Sequence, residues 1–157
     1  MPEVSASHAF GWPADVVWPY LIALEQVPYW EDDVLEVRLL TPGALAVGSR
    51  LSVRRVYAGR EARLEGTVVA LDPGRSATIE LRGGPLELAR ATYTVDPTGP
   101  STSLVTYAGS VRLRGAARLV GRLVPLLGRR QVGKNLRRLE RRIASGIGPT
   151  ENAPTPD

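Results

Sequence analysis

The chain has 157 residues, a formal net charge of +4, no cysteine and a single histidine, His8. The absence of cysteine excludes disulfides, thiolate metal sites and a cysteine nucleophile, and one histidine argues against a histidine metal site or a Ser-His-Asp triad. The length suits one domain. No signal peptide or membrane span is visible, so we expect a cytoplasmic protein. We also expect no cofactor and no metal.

The chain is predicted to open with a strand and two helical segments. Polar and apolar side chains alternate from Glu3 to Phe10, which is the period of a strand. Pro13 ends that strand and suits the first turn of a helix, and apolar residues then recur at helical spacing through Leu24. A short helical turn is predicted over residues 26–30.

Six further strands are predicted before the last third of the chain. Glycine, proline and aspartate separate them at short intervals, which indicates an antiparallel meander and leaves no room for crossover helices. The predicted strands cover residues 34–40, 51–57, 61–71, 76–82, 87–95 and 103–113.

Alternation within these strands predicts that one face of the sheet is apolar and the other solvated. The residues expected on the apolar face of the three clearest strands are Ala62, Leu64, Gly66, Val68 and Ala70, then Ala77, Ile79 and Leu81, then Val105, Tyr107, Gly109, Val111 and Leu113. Such a face needs a cover, and the final helix is the obvious candidate.

Residues 115–145 form a long amphipathic helix candidate. Its apolar stripe, expected to face the sheet, comprises Ala116, Leu119, Val120, Leu123, Leu127, Leu136, Leu139 and Ile143. Pro125 lies inside this range and should kink or interrupt the helix near Arg122. We therefore predict one domain over residues 1–145, and a disordered tail over residues 146–157, where little is left to bury.

The basic residues are concentrated in this last helix region. Residues 110–145 hold 11 of the 20 Lys and Arg, with Glu140 as the only acid. These cations are interpreted first as the solvated face of the covering helix. A second interpretation is weak contact with an anionic membrane surface, through Arg130, Lys134, Arg137, Arg138 and Arg141. Nucleic acid binding is a third and is disfavoured, because the helix carries no aromatic residue.

The order of elements and several short motifs resemble the START-like, polyketide cyclase/dehydrase-like superfamily. The resemblance covers roughly residues 3–145. The matching positions are Pro13, Asp15, Val17-Trp18, Val27-Pro28-Tyr29-Trp30, Val47-Gly48-Ser49 and the late strand pair GPLELARATYTVDP and TSLVTY. The order of Pro28 and Tyr29 is exchanged relative to the family pattern.

This resemblance implies an α+β helix-grip fold, in which a curved antiparallel sheet of about seven strands wraps around the C-terminal helix. It also implies an apolar cavity between sheet and helix that binds, transports or sequesters a hydrophobic molecule such as a lipid or a polyketide. An enzyme, a polyketide cyclase or dehydratase, is the alternative. A membrane-surface protein using the basic helix is the second alternative.

Five residues are the candidates for lining that cavity. The inward parity of the strands places Tyr57, Tyr93 and Tyr107 on the concave face, and Arg55 joins them if Leu51 and Val53 point inward. Trp30 occupies the position of the family's tryptophan beside the short helix. For the tyrosines and Trp30, plain core packing is the competing interpretation.

No catalytic constellation is visible in the sequence. His8 has no partner that the sequence identifies, although its ordinary pKa would allow proton transfer. Glu31, Asp32 and Asp33 form an acidic run that is interpreted as solvated surface, since consecutive acids in a loop are usually exposed.

Overall fold

A computed structural model describes residues 2–150 of the chain. Two α-helices are present within these residues, α1 (Ala14–Ile22) and α2 (Val124–Ala144). A first 3₁₀ helix, Leu24–Tyr29, precedes β2, and a second, Gly115–Leu123, precedes α2. The strands are β1 (Glu3–Phe10), β2 (Val34–Leu39), β3 (Arg50–Tyr57), β4 (Arg60–Asp72), β5 (Ser76–Gly83), β6 (Leu86–Gly99) and β7 (Thr102–Leu113).

The seven strands form one antiparallel sheet in the order β1-β7-β6-β5-β4-β3-β2. Strands β2 to β7 follow one another as hairpins. The last strand, β7, also pairs with β1 over the whole length of β1, from Glu3 opposite Ser110 to Phe10 opposite Ser103. The sheet and the long C-terminal helix make up the helix-grip fold, so the predicted fold class is confirmed.

A bulge in β4 changes which side chains reach the core. The register between β4 and β5 shifts between Val68 and Ala70, and such a shift reverses the parity of the residues beyond it. Ala70, predicted to face inward, is exposed, and Leu71 packs against the buried residues instead. The inward prediction for Ala70 was wrong for this reason.

The second half of α2 is the part of the helix that covers the sheet. Val132, Leu136, Leu139 and Ile143 are buried there and belong to the same core cluster as residues of β1 and α1. Near its start, α2 comes so close to β1 that a Cβ atom on Gly128 would lie 2.7 Å from a methyl group of Val4. Helix and strand therefore pack in direct contact at this point.

The first half of the predicted helix is different. Residues 115–123 form a 3₁₀ helix, and the α-helix begins only at Val124, with Pro125 in its first turn, where a missing N–H costs nothing. Leu119 is 85% exposed, and Ala116, Val120, Leu123 and Leu127 are exposed as well. The prediction that these side chains face the sheet was wrong, because the helical stripe breaks at the proline and its first half does not dock.

The C-terminal end of α2 is anchored by polar contacts. Arg142, predicted on the solvated face, is buried, and its guanidinium lies 4.6 Å from the ring centroid of Tyr29 and donates to Gln26. The Tyr20 hydroxyl donates to the backbone oxygen of Ile147 at 2.6 Å. Of the tail predicted to be disordered, residues 151–157 lie outside the described range. No helix within residues 2–150 is long and apolar enough to cross a membrane.

Candidate functional site

A pair of tyrosines lies at the centre of the site. Tyr93 on β6 and Tyr107 on β7 are directly opposite each other in the antiparallel register, so both side chains project from the same face. Their ring centroids are 5.1 Å apart at an interplanar angle of 61°, which is the edge-to-face geometry that aromatic pairs prefer.

Small residues lie beside this pair on the inner face of the sheet. Gly109 lies opposite Ala91 in the next row, and Ala91 in turn is opposite Ile79 of β5. The ring of Tyr107 lies over Gly109, since a Cβ there would come 2.8 Å from the Cζ atom of the tyrosine. Glycine at this position therefore allows the ring to lie flat along the sheet.

The end of the first 3₁₀ helix brings two further residues to the tyrosine pair. Trp30 is 1% exposed, and its ring centroid is 5.9 Å from that of Tyr93. The hydroxyl of Tyr93 donates a hydrogen bond of 2.8 Å to Oε1 of Glu31. A carboxylate is thereby placed next to the aromatic side chains of the inner face.

The end of β3 supplies the cationic side of the site. Arg55 lies with its Cζ atom 5.3 Å from the ring centroid of Tyr57, in cation–π geometry. Its guanidinium is 3.9 Å from a carboxylate oxygen of Asp33, at the edge of salt-bridge range. We call Trp30, Arg55, Tyr57, Tyr93 and Tyr107 the tyrosine cluster.

Burial governs the ionisation of the three tyrosines. It raises the pKa of Tyr107 to about 12, with the Glu31 carboxylate adding to the effect. Burial and Glu31 also hold the pKa of Tyr93 well above its ordinary value, and burial raises the pKa of Tyr57 against the opposing effect of Arg55. All three hydroxyls are therefore neutral hydrogen-bond donors at physiological pH.

Arg55 keeps its charge in this setting. Burial alone would lower the pKa of its guanidinium, but electrostatic interactions with Tyr57, Glu31 and Asp33 outweigh that effect and raise the pKa. The cluster therefore combines a permanent cation with neutral hydroxyl donors, beside the carboxylate of Glu31.

Several donors of the cluster have no acceptor. The Nε1 of Trp30 and the Nε of Arg55 are buried without a hydrogen-bond partner among the described residues. The hydroxyls of Tyr57 and Tyr107 form no hydrogen bond within that same part of the chain. Buried donors are normally paired in folded proteins, so this cluster is suited to an acceptor supplied by another molecule.

The structure thus brings together the five residues that the sequence singled out. Their tyrosine and arginine side chains retain accessible surface, although enough protein surrounds the tyrosines to raise their pKa values. Partial exposure and raised tyrosine pKa values are both expected of side chains that line a partly open space on the inner face of the sheet. Whether they contact a ligand stays a prediction.

The acidic run divides between the site and the surface. Glu31 was interpreted as solvated, and this was wrong, because its carboxylate turns inward to Tyr93. Asp32 points the other way and pairs with Arg138 of α2, so Arg138 is not free on the solvated face. His8 is also partnered, with Nε2 lying 3.0 Å from Oε1 of Glu140, which joins β1 to α2.

Two surface depressions lie elsewhere on the molecule. One is lined by Tyr29, Ile147 and the arginines of the last turns of α2, and the other by Pro2, Gly121 and residues of β7. Neither is lined by the tyrosine cluster. The cavity predicted between the sheet and α2 therefore stays a prediction.

Comparisons with known proteins agree on the family and the fold. The family described as "Polyketide cyclase / dehydrase and lipid transport" matches residues 1–144. No curated protein sequence matches the chain at a significant level.

Solved structures with the same fold include three that span nearly their whole length. A START superfamily protein from Mycobacterium smegmatis superposes with a TM-score of 0.77 at 15% identity, over 92% of this chain and 99% of that one. A protein from Thermus thermophilus gives 0.77 at 20% identity, over 92% and 99%. The Zhui aromatase/cyclase from Streptomyces sp. R1128 gives 0.67 at 17% identity, over 93% and 98%.

Proposed function

Because the chain belongs to the polyketide cyclase/dehydrase and lipid transport family, we propose that it binds a hydrophobic small molecule between the inner face of the sheet and α2. Binding serves transport or sequestration of a lipid or polyketide-like compound. The observation that carries the proposal is the tyrosine cluster, with its part-accessible side chains and donors that lack acceptors.

The chemistry of the cluster indicates the shape of the ligand. Ala91 and the neighbouring aromatic rings offer an apolar surface for a hydrocarbon or ring system, whose desolvation contributes about 25 cal/mol per Å². The hydroxyls of Tyr57 and Tyr107 and the guanidinium of Arg55 suit a hydrogen-bond acceptor such as a carbonyl. The ligand is therefore an apolar body with an acceptor at one end, held between donors.

Replacing Tyr107 by alanine tests this arrangement. The variant loses an aromatic contact and a donor, so we expect the retention of a bound apolar molecule to weaken about tenfold or more. Retention is measured by native mass spectrometry of the purified protein. Arg138→Ala is the control, because Arg138 pairs with Asp32 outside the cluster. Equal losses in both variants would contradict the placement of the ligand at Tyr107.

Catalysis as a cyclase or dehydratase is a second candidate function, and the inward carboxylate of Glu31 favours it. A carboxylate hydrogen-bonded to Tyr93 can take a proton from a carbon between two carbonyl groups. Tyr107, protonated with a pKa of about 12, can donate a hydrogen bond to the oxyanion that forms. Glu31 would be the general base and Tyr107 the stabilising group.

Glu31→Gln separates the two functions. If the protein is an enzyme, this variant should lower the cyclisation rate of a poly-β-ketone thioester analogue about 10²- to 10⁴-fold. Binding of the same analogue should change little. If the wild-type protein binds the analogue without converting it, catalysis is contradicted and only the binding function remains.

Weak contact with an anionic membrane surface forms part of the proposal. Arg130, Lys134, Arg137 and Arg141 are exposed along α2, where each basic residue near such a surface contributes about 1 kcal/mol. Arg138, the fifth residue predicted for this contact, is engaged by Asp32. Such contact would bring the protein to a source of apolar ligand.

A further inference from the structure

The segment between β7 and the docked part of α2 exposes a group of large apolar side chains. We call residues 115–127 the lid segment. Five of the ten large hydrophobic residues that are exposed in the described chain lie in it: Leu119, Val120, Leu123, Leu126 and Leu127. Scattered single exposures are ordinary on protein surfaces, but a grouped set indicates an interaction surface.

Exposed arginines flank these side chains on both sides. Arg118 and Arg122 lie within the lid segment, and Arg129 and Arg130 follow it after Gly128. None of these four arginines forms a salt bridge within the described residues. The sequence contains no acid between Asp96 and Glu140. The lid segment and the residues that follow it therefore expose large apolar side chains together with unpaired cations.

We propose that the lid segment inserts its apolar side chains into an anionic lipid surface while the flanking arginines bind the headgroups. Leucine and valine side chains together with arginines are the composition of interfacial amphipathic segments. The proposal deepens the membrane contact stated above, on which it rests, by assigning the inserting side chains to the lid segment.

A second copy of the chain and a nucleic acid fit this surface less well. Two lid segments brought face to face would oppose their arginines with no acid to compensate, and like charges in contact are repulsive. A phosphate backbone would match the arginines but would leave the leucines against a charged polymer. Only a lipid interface offers anions and hydrocarbon at adjacent depths.

The position of the lid segment links this surface to the proposed ligand site. It follows β7, the strand that carries Tyr107 and Gly109, and it precedes the part of α2 that covers the sheet. Insertion into lipid would hold the connection between β7 and α2 against the bilayer. An apolar ligand could then pass between the bilayer and the sheet without crossing water.

Cosedimentation of the full chain with lipid vesicles tests the proposal. We expect at least about tenfold stronger binding to phosphatidylcholine vesicles containing phosphatidylglycerol than to phosphatidylcholine alone, and weaker binding at high salt. The double variant Leu123→Ser/Leu127→Ser should lower binding by about tenfold or more. Its matched control is Leu35→Ser/Leu40→Ser, which alters two other exposed leucines, on and after β2, and should bind as the wild type does.

A charge variant tests the contribution of the arginines. Arg122→Gln/Arg130→Gln should weaken binding to the anionic vesicles only and should flatten its salt dependence, whereas Arg60→Gln/Arg63→Gln on β4 should change neither. Circular dichroism is the control for folding, and each variant is expected to fold because the substituted positions are exposed.

Two results would overturn the proposal. One is vesicle binding by Leu123→Ser/Leu127→Ser that equals that of the wild type. The other is a wild-type protein that ignores vesicles and forms dimers that this variant dissociates, which would mean that a second copy covers the lid segment. Binding of an apolar ligand is measured separately, by its retention in the purified protein. Failure of the vesicle experiment therefore leaves the ligand-binding proposal standing, and failure of the retention experiment leaves the membrane proposal standing.

Discussion

Replacing Leu139 by alanine is expected to lower the free energy of unfolding by about 2–5 kcal/mol. Leu139 is 0% exposed and lies in the half of α2 that packs on β1 and α1, beside Leu136. Truncation removes the transfer free energy of three carbon atoms and leaves a void that surrounding side chains fill only in part. A loss of this size is a large fraction of the stability of a domain of this length.

Leu119→Ala is the matched control for that substitution. Both leucines belong to the apolar stripe that the sequence predicts, yet Leu119 is 85% exposed. Its truncation should therefore change stability by about 0.5 kcal/mol or less. Urea denaturation measures both values. Equal destabilisation by the two variants would mean that the lid segment is docked on the sheet in solution.

Ala91→Phe is expected to abolish most ligand binding. Ala91 lies on the inner face, opposite Gly109 and next to the tyrosine pair, where a phenyl ring would occupy the space proposed for the ligand. The added ring can also strain the inner face by about 1–3 kcal/mol, so unfolding is measured alongside. Ala108→Phe is the control, because Ala108 projects from the solvated face of β7 and is exposed.

The bounds of the strands were predicted to within one residue, except that β6 runs to Gly99, four residues beyond the end predicted for it at residue 95. Alternation defines a strand with one dry face, and turn residues such as Gly59 and Gly74, which adopt positive φ angles in the structure, mark its ends. The prediction failed at Ala70, since a bulge adds a residue without changing the local pattern. Periodicity alone cannot locate such a shift.

The two halves of the C-terminal helix show a further limit. Leu119 and Leu139 have equivalent places in the apolar stripe, but only Leu139 meets a partner. An apolar stripe in the sequence indicates that a segment can bury one face. Whether that face packs on the sheet depends on the path of the chain through Pro125. The proline itself was the available signal, because it places the start of α2 at Val124.

The strand residues of the tyrosine cluster were predictable from the sequence, but the carboxylate of Glu31 beside the cluster was not. Tyr93 and Tyr107 follow from strand parity, but Glu31 is 62 residues from Tyr93 in sequence. It reaches the site because the 3₁₀ helix ends beside Trp30. A loop acid carries no periodic signal, so only its neighbour Trp30 at the family's tryptophan position indicated that this loop lies near the site.

Native mass spectrometry of the purified wild-type protein, followed by extraction of whatever it carries, tests the central claim most directly. We predict a wild-type mass above that of the bare chain, an extracted apolar molecule with an acceptor group, the same adduct on Ala108→Phe, and little or none on Ala91→Phe. A wild-type protein that is always empty, or an Ala91→Phe variant with the same occupancy, would contradict the proposed site.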